Sequence, residues 1–124
     1  MENRRISKPA GISFSVPAVP PSVNHYLKHT RTGRHYVTEE AKDFKDYVVL
    51  FSSKQRIRWK HYGVEILIFL GKKQKGDLDN FAKVCLDSLV FAGVIDSDAK
   101  ITDLHMTKDR DISNPRTVIS VWAV

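Results

Sequence analysis

Two aspartates and a lysine near the middle of the chain have the types and the spacing needed for chemistry on a phosphate. Asp77 and Asp79 are separated by one residue, so an extended backbone points both carboxylates to the same side. Paired carboxylates repel each other unless a cation lies between them, and Mg²⁺ takes oxygen ligands of this kind while keeping several waters. Lys83 lies one helical turn beyond Asp79, where its ammonium could stabilise an anionic phosphorane or orient a water. These residues are therefore candidates for metal-assisted hydrolysis.

The same residues also suit the start of an ordinary helix. Asp77 fits an N-cap and Asp79 fits an acidic first turn. Asp79 and Lys83 would form a common one-turn pair that stabilises a helix by roughly 0.2–0.5 kcal/mol, and Asp87 would extend the pair into a solvated ladder. Spacing alone leaves both interpretations open and somewhat favours the structural one.

A second acidic pair, Asp96 and Asp98, follows the expected end of this helix. A helix of that length spans about 20 Å, so Asp98 returns to its start only if the chain doubles back. A reversal at Gly93 followed by an antiparallel strand would bring Asp98 part of the way. An Asp-Ser-Asp segment is also favoured in turns for its side-chain bonds to the backbone, so this pair alone decides nothing.

Composition predicts one folded domain with a polyanionic partner. The chain has 124 residues, and its 42% hydrophobic and 27% charged residues exclude the composition of a disordered segment. Lys and Arg outnumber Asp and Glu by 20 to 14, which gives a formal charge of +6. The isoelectric point near 9.6 makes nucleic acid the expected partner.

The cysteine count and the apolar pattern limit the setting of the chain. Cys85 is the only cysteine, so no intrachain disulfide is possible, and its apolar surroundings favour a small buried hydrophobe. No stretch approaches the roughly 20 apolar residues that cross a bilayer. The basic start of the chain is not followed by an apolar signal core. We therefore expect a cytoplasmic protein with no membrane association.

Periodicity predicts an α+β fold, a single domain with a mixed β-sheet packed with two helices. Residues 1–10 form a flexible N-terminal arm in this interpretation, and residues 11–124 form the domain. We expect a basic, aromatic hairpin or loop over residues 22–37 and a helix that starts after an N-cap at Thr38 and ends near Gln55. The remaining elements are strands over residues 11–16, 64–70, 101–108 and 117–124, and a second helix over residues 78–91 that Gly93 terminates.

Side-chain spacing also predicts which face of each helix is buried. The first helix should bury Ala41, Phe44, Tyr47, Val48 and Phe51, and the second Leu78, Ala82, Cys85, Leu86 and Leu89.

Several short motifs occur in a fixed order between Pro20 and Ile101, within a similarity that covers most of the chain from about Ile12 onward. They are Pro20-Pro21-Ser22-Val23-Asn24, Gly76-Asp77-Leu78-Asp79-Asn80, Lys83, Asp87-Ser88-Leu89, Ala92-Gly93-Val94-Ile95 and Asp98-Ala99-Lys100-Ile101. This ordered set resembles the RusA family of Holliday-junction resolvases and is far more specific than any one motif. The resemblance implies a RusA-like fold.

The resemblance also implies roles for individual residues. The family's metal-binding acids fall on Asp77, Asp79 and Asp98, and its essential lysine falls on Lys83, so these four form the implied catalytic set. It implies a homodimer that needs Mg²⁺, for which Mn²⁺ can substitute, and no small-molecule cofactor. The implied reaction places paired symmetrical nicks near the crossover of a four-way DNA junction, in recombination and repair. The convergence of the three acids on one cation beside a lysine is the expectation on which this interpretation depends.

The chain departs from the family pattern at one acidic position. The family commonly carries two adjacent acids before the position of Ala99, whereas this chain has Ser97 in the first of those places and Asp96 one residue earlier. Whether Asp96 assists Asp98 stays open from the sequence.

Basic residues in two segments are candidates for contacts with DNA phosphates, although each could equally be an ordinary surface charge. They are Lys28, Arg31, Arg34, Lys72, Lys73 and Lys75. Two other functions also stay open. One is a non-catalytic nucleic-acid-binding module, in which the acids only cap and decorate the second helix. The other is a metal nuclease that acts on different branched DNA, such as flaps or forks.

Overall fold

A four-stranded sheet packed with two helices forms the part of the chain that the structure describes. The structure is a computed structural model that describes residues 11–21, 27–29 and 35–124, with the side chains of residues 11–21 and 38–124. The predicted arm over residues 1–10 lies outside the described residues. The elements are β1 (Gly11–Val16), β2 (Leu27–His29), β3 (His35–Val37), α1 (Glu39–Phe51), β4 (Tyr62–Leu70), α2 (Leu78–Phe91), β5 (Ile101–Arg110) and β6 (Arg116–Ala123).

The sheet is mixed, which confirms the predicted α+β class. Its strand order is β1-β6-β4-β5, and β2 pairs with β3 as a separate antiparallel hairpin. β6 runs antiparallel to both β1 and β4, whereas β4 and β5 are parallel neighbours. Parallel neighbours need a crossover, and α2 supplies it. The amino end of α2 therefore lies where β4 and β5 end, and its carboxyl end lies where β5 begins.

Apolar side chains from β4 and both helices form the core. Val64, Ile66 and Ile68 alternate along β4 and are almost fully buried, as their β-branched, every-second-residue pattern requires. The predicted buried face of α1 is confirmed for Ala41, Phe44 and Val48, while Tyr47 and Phe51 are exposed.

The buried face of α2 differs from the predicted one. Leu78, Ala82 and Leu86 are only half-buried, while Phe81 and Val84 are fully buried beside Cys85 and Leu89. The reason is that α2 packs against α1 as well as β5, so its buried stripe is wider and turned relative to a helix with one neighbour.

The local signals for the helix ends have different outcomes. Thr38 caps α1, because its hydroxyl accepts from the amide of Ala41 at 3.3 Å. The predicted end of α1 near Gln55 was wrong, since the helix ends at Phe51 and the backbone then adopts positive φ at Ser53 and Lys54. The limits of α2 are as predicted, and Gly93 follows it with a φ of +76° that an L side chain rarely adopts.

Cys85 is fully buried, and burial raises the pKa of its thiol, so it serves as a small hydrophobe rather than a nucleophile. Within the described residues, every helix is too short or too polar to cross a membrane.

Candidate active site

Asp77 and Asp79 lie at the amino end of α2, beside the carboxyl ends of β4 and β5. Asp77 occupies the N-cap position with an extended backbone, but its side chain makes no capping hydrogen bond. Asp79 is exposed in the first turn. The interpretation of Asp77 as an ordinary N-cap therefore explains its position at the helix start. It does not explain why its carboxylate makes no capping bond. Both acids are available to bind a ligand at an end of the sheet where α/β proteins often bind theirs.

Gly76 fixes the path of the chain into this site. A Cβ atom at Gly76 would lie 2.6 Å from Cζ of Phe81, whose ring is buried in the core. Any larger residue would push the ring or the loop, so glycine allows the backbone to pass closely over the ring and to place Asp77 at the helix start.

Two basic residues of β5 hold the loop between β4 and α2, and the sequence analysis missed both. The Lys108 ammonium donates to the carbonyl of Gly76 at 2.7 Å. The Arg110 guanidinium donates to the carbonyl oxygens of Gly71, Lys72 and Gln74. Lys108 and Arg110 are two residues apart on β5, so both side chains point to the same face of the strand, the side on which the helices pack. The position of these two residues next to the loop can be predicted only when β4 and β5 are known to be parallel. The sequence pattern does not show the direction of a strand.

The basic run before Asp77 lies on the loop between β4 and α2. Lys72, Lys73 and Lys75 are exposed on the loop. Lys73 and Lys75 line an open cavity of about 430 Å³ together with Pro20 and Pro21, so the proline-rich motif lies next to the start of α2. Of the other candidate DNA contacts, Lys28 belongs to β2 but its side chain is not described, and Arg31 and Arg34 lie outside the described residues.

Lys83 lies on the exposed side of α2, one turn after Asp79. Its ammonium is 3.5 Å from Oδ1 of Asp87, and its side chain is 56% exposed. An ion pair this exposed contributes little to stability, so it holds Lys83 only weakly and leaves the ammonium free to move toward an anion.

Asp98 lies at the opposite end of α2 from Asp77. It sits in a short 3₁₀ turn, Asp98–Lys100, immediately before β5, where the hydroxyl of Ser97 accepts from the amide of Ala99 at 3.2 Å. The chain does reverse after Gly93, but Asp98 lies before the start of β5 and not within that strand. It shares an open cavity with Asp87 and residues at the end of α2.

The predicted convergence of the three acids is therefore not found within one chain. The 14 residues of α2 separate Asp77 from Asp98 by about 20 Å along the helix axis. Across the described residues, no three acidic, histidine or cysteine side chains come close enough to hold a metal ion.

Asp96 has a structural role that separates it from Asp98. Its carboxylate accepts from the hydroxyl of Tyr62 and from the ammonium of Lys100, both at 2.8 Å. These bonds, the one from Lys100 foremost, lower the pKa of Asp96 from its ordinary 3.8 to about 2. The side chain of Asp98 has no polar partner in the part of the chain that the structure describes. Asp98 is therefore the acid that remains available to a ligand.

We expect the Asp96→Asn variant to have a lower midpoint of thermal unfolding at neutral pH, because Tyr62 and Lys100 lose a charged acceptor. Since the pKa of Asp96 is lowered in the folded chain, its contribution to stability is full above about pH 4 and is lost as the pH falls through about 2. The difference in midpoint should shrink across that window in calorimetric scans. Asp98→Asn is the matched control and should leave the midpoint unchanged; equal midpoints for the two variants at neutral pH would argue against the role of Asp96.

Comparison of the sequence with known proteins places the chain in a family. The family model described as endodeoxyribonuclease RusA matches residues 17–122. The chain is 29% identical over 92 residues to the crossover junction endodeoxyribonuclease RusA of Escherichia coli strain K12, covering 72% of this chain and 76% of that protein. It is 30% identical over 92 residues to the protein of the same name from Enterobacteria phage 82, with the same coverage. The phage HK97 protein of that name is 24% identical over 110 residues, which cover 82% of this chain and 87% of the relative.

Proposed function

The chain belongs to the RusA family of endodeoxyribonucleases, and on that basis we propose that it resolves four-way DNA junctions by metal-dependent hydrolysis. The relatives that it matches are named for cleavage at crossover junctions. In this proposal each junction receives two symmetrical nicks, in recombination and repair. The proposal includes a homodimer, because a four-way junction has approximate twofold symmetry and a C2 dimer presents identical sites to opposed strands.

The observation that carries the proposal is the uncommitted carboxylate of Asp77 at a basic end of the sheet. Asp77 makes no capping bond, although it stands where one is usual. Exposed lysines of the preceding loop add positive charge at this end of the sheet, which attracts a phosphate backbone. A non-catalytic binding module would gain from the lysines but would have no use for unneutralised acids among them.

The donor set fits a hard divalent cation in part. Mg²⁺ in phosphate chemistry is often held by one or two carboxylates, with waters and substrate oxygens completing its shell, and Asp77 and Asp79 match that minimum. Asp98 does not join them within one chain. When bound, Mg²⁺ or Mn²⁺ would polarise the scissile phosphate and lower the pKa of a water.

The chain's own residues then have separate tasks. Asp77 and Asp79 would hold the cation, and Lys83 would place a positive charge beside the phosphate oxygens, where negative charge grows during hydrolysis. Lys72, Lys73 and Lys75 would bind the backbone on either side of the cleaved bond. Lys28, Arg31 and Arg34 remain candidates for more distant contacts with the duplex arms.

A dimer offers a way to bring Asp98 into the site. β5 is the outermost strand on its side of the sheet, so one of its edges has no paired strand among the described residues. Two β5 edges paired antiparallel about a twofold axis would put the amino end of one strand beside the carboxyl end of the other. Asp98 precedes the amino end, and Asp77 lies at the carboxyl end. We therefore propose that Asp98 completes the site of the partner subunit.

Cleavage of labelled branched DNA tests the proposed function. We expect the protein to nick a four-way junction in Mg²⁺, to make no cut in EDTA, and to leave a linear duplex of the same sequence intact. Nicking of a Y-shaped or flap substrate in preference to the four-way junction would show that the protein is a nuclease with a different branched DNA as its substrate. Binding without metal-dependent nicking of any of these substrates would overturn the proposal in favour of a binding module.

A further inference from the structure

A tryptophan stands exposed among basic side chains at the end of the molecule where β5 begins. Trp59 is 58% exposed, whereas Trp122 is 8% exposed. It belongs to the segment between α1 and β4, and it borders an open cavity of about 640 Å³. We call this the Trp59 surface, and its lining residues are Arg58, Trp59, Lys60, His61, Asp96 and Lys100.

Hydrogen bonds fix the backbone that presents the indole. The amide of Trp59 donates to the hydroxyl of Tyr62 at 3.3 Å, and the single proton of this hydroxyl is shared between the Asp96 carboxylate at 2.8 Å and the carbonyl of Ile57 at 3.1 Å. The amide of Ile57 in turn donates to the carbonyl of Val94 at 2.9 Å. Tyr62 is fully buried, so the segment is tied to the core at this point. The indole is therefore held outward on a fixed support rather than on a free loop.

Arg58 adds a second connection to the same support. Its guanidinium donates to the carbonyl oxygens of Gly93 and Val94, at 3.0 and 3.2 Å. These are carbonyls of the turn that ends α2, so Arg58 links the Trp59 segment to the segment that leads to Asp98. The bonds use carbonyls and not carboxylates, so the positive charge of Arg58 is not neutralised.

The charge around the indole favours a polyanion. Arg56, Arg58 and Lys60 are exposed on the same segment, and among the described residues the salt bridges of this surface involve only Asp96 and Lys100. An indole ring beside uncommitted cations is the combination that binds single-stranded nucleic acid, because the ring stacks on a base while the cations contact its phosphates. A protein partner of ordinary composition would not require this excess of positive charge.

The Trp59 surface adjoins the turn that carries Asp98. Asp96 lines the cavity at Trp59 and also the cavity that contains Asp98 and Asp87. A DNA strand that reached Asp98 would therefore pass next to Trp59. Bases at the crossover of a branched DNA are the ones that can leave the stack at low cost.

We propose that the Trp59 surface binds an unstacked base of branched DNA on the indole of Trp59 and the adjacent phosphates on Lys60 and Arg58. This inference rests on the proposed function, since it takes branched DNA as the ligand. It assigns to the surface the recognition of the branch point, in addition to the cleavage site at the other end of α2.

Binding of a four-way junction in EDTA, followed by fluorescence anisotropy, tests the inference. Removing one stacked base by Trp59→Ala should raise the Kd for the junction by about five- to 100-fold, and by much less for a linear duplex. Trp59→Phe should retain part of the affinity. The junction should also quench tryptophan fluorescence of the unchanged protein but not of Trp59→Phe, which retains Trp122.

Leu50→Ala is the matched control, because Leu50 is 66% exposed on α1 and is not among the residues that line the Trp59 surface. It should leave the Kd unchanged. An unchanged Kd and unchanged quenching for the Trp59 variants, in a protein that still binds and nicks the junction, would overturn the inference and keep the proposed function. Failure of the unchanged protein to bind any branched DNA would overturn both.

Discussion

The Asp77→Asn variant is expected to bind a four-way junction as tightly as the unchanged protein and to cut it on the order of 10³-fold more slowly. Asn keeps the size of the side chain and is equally suitable at an N-cap, so the start of α2 should stay intact. It removes the negative charge that helps to hold the cation in the proposed site. Several kcal/mol of charge stabilisation in the transition state would go with it, and each 1.4 kcal/mol is about tenfold in rate.

Single-turnover cleavage in Mg²⁺ and binding in EDTA measure the two effects separately. Asp43→Asn makes the same chemical change at an exposed position of α1, and it should leave both the rate and the Kd unchanged. A cleavage rate for Asp77→Asn within a few-fold of the unchanged protein would remove Asp77 from the reaction. An equal loss of rate and of binding would point instead to a disturbed helix start.

Local sequence signals predicted the elements that position Asp77. α2 has the predicted limits because an N-cap acid and a glycine with positive φ mark its two ends. α1 ends earlier than its apolar pattern suggests, since Ser53 and Lys54 adopt left-handed backbone conformations that their residue types do not announce. Features that depend on one residue and its immediate neighbours could be predicted from the sequence, whereas backbone conformations imposed by packing could not.

The parts of the site that depend on topology could not be predicted. Lys108 and Arg110 support the loop between β4 and α2 only because β5 lies parallel to β4, and the hydrophobic pattern does not show strand direction. Trp59 was missed for a similar reason, because its exposure depends on bonds that join its segment to the distant turn at Gly93 and Val94. The resemblance to the RusA family implies roles for the acids and the lysine, but it carries no information on which chain supplies each acid.

Asp98 is the residue on which the proposed two-subunit site depends. Its side chain is available, and Asp96, the competing acid, is engaged by Tyr62 and Lys100. Its distance from Asp77 follows directly from the length of α2. An acid that the family motif implies for the metal site, and that the fold separates from the other two, is explained if sites are built from two subunits.

Mixing two inactive variants tests this claim most directly. Asp77→Asn and Asp98→Asn proteins, each expected to lack cleavage activity alone, are unfolded together and refolded so that mixed dimers form. If each site combines acids from both subunits, a mixed dimer has one site with both changes and one site with neither. About half of the dimers would be mixed and about half of their sites intact, so about a quarter of the wild-type sites should return.

The products distinguish this outcome further, because a mixed dimer with one intact site should give single nicks where the unchanged dimer gives paired ones. The measurement is junction nicking by the refolded mixture, relative to each variant refolded alone. We predict that the mixture recovers nicking that neither variant has. A mixture that stays as inactive as its components, while refolded wild-type protein cuts the junction, would contradict a site shared between subunits.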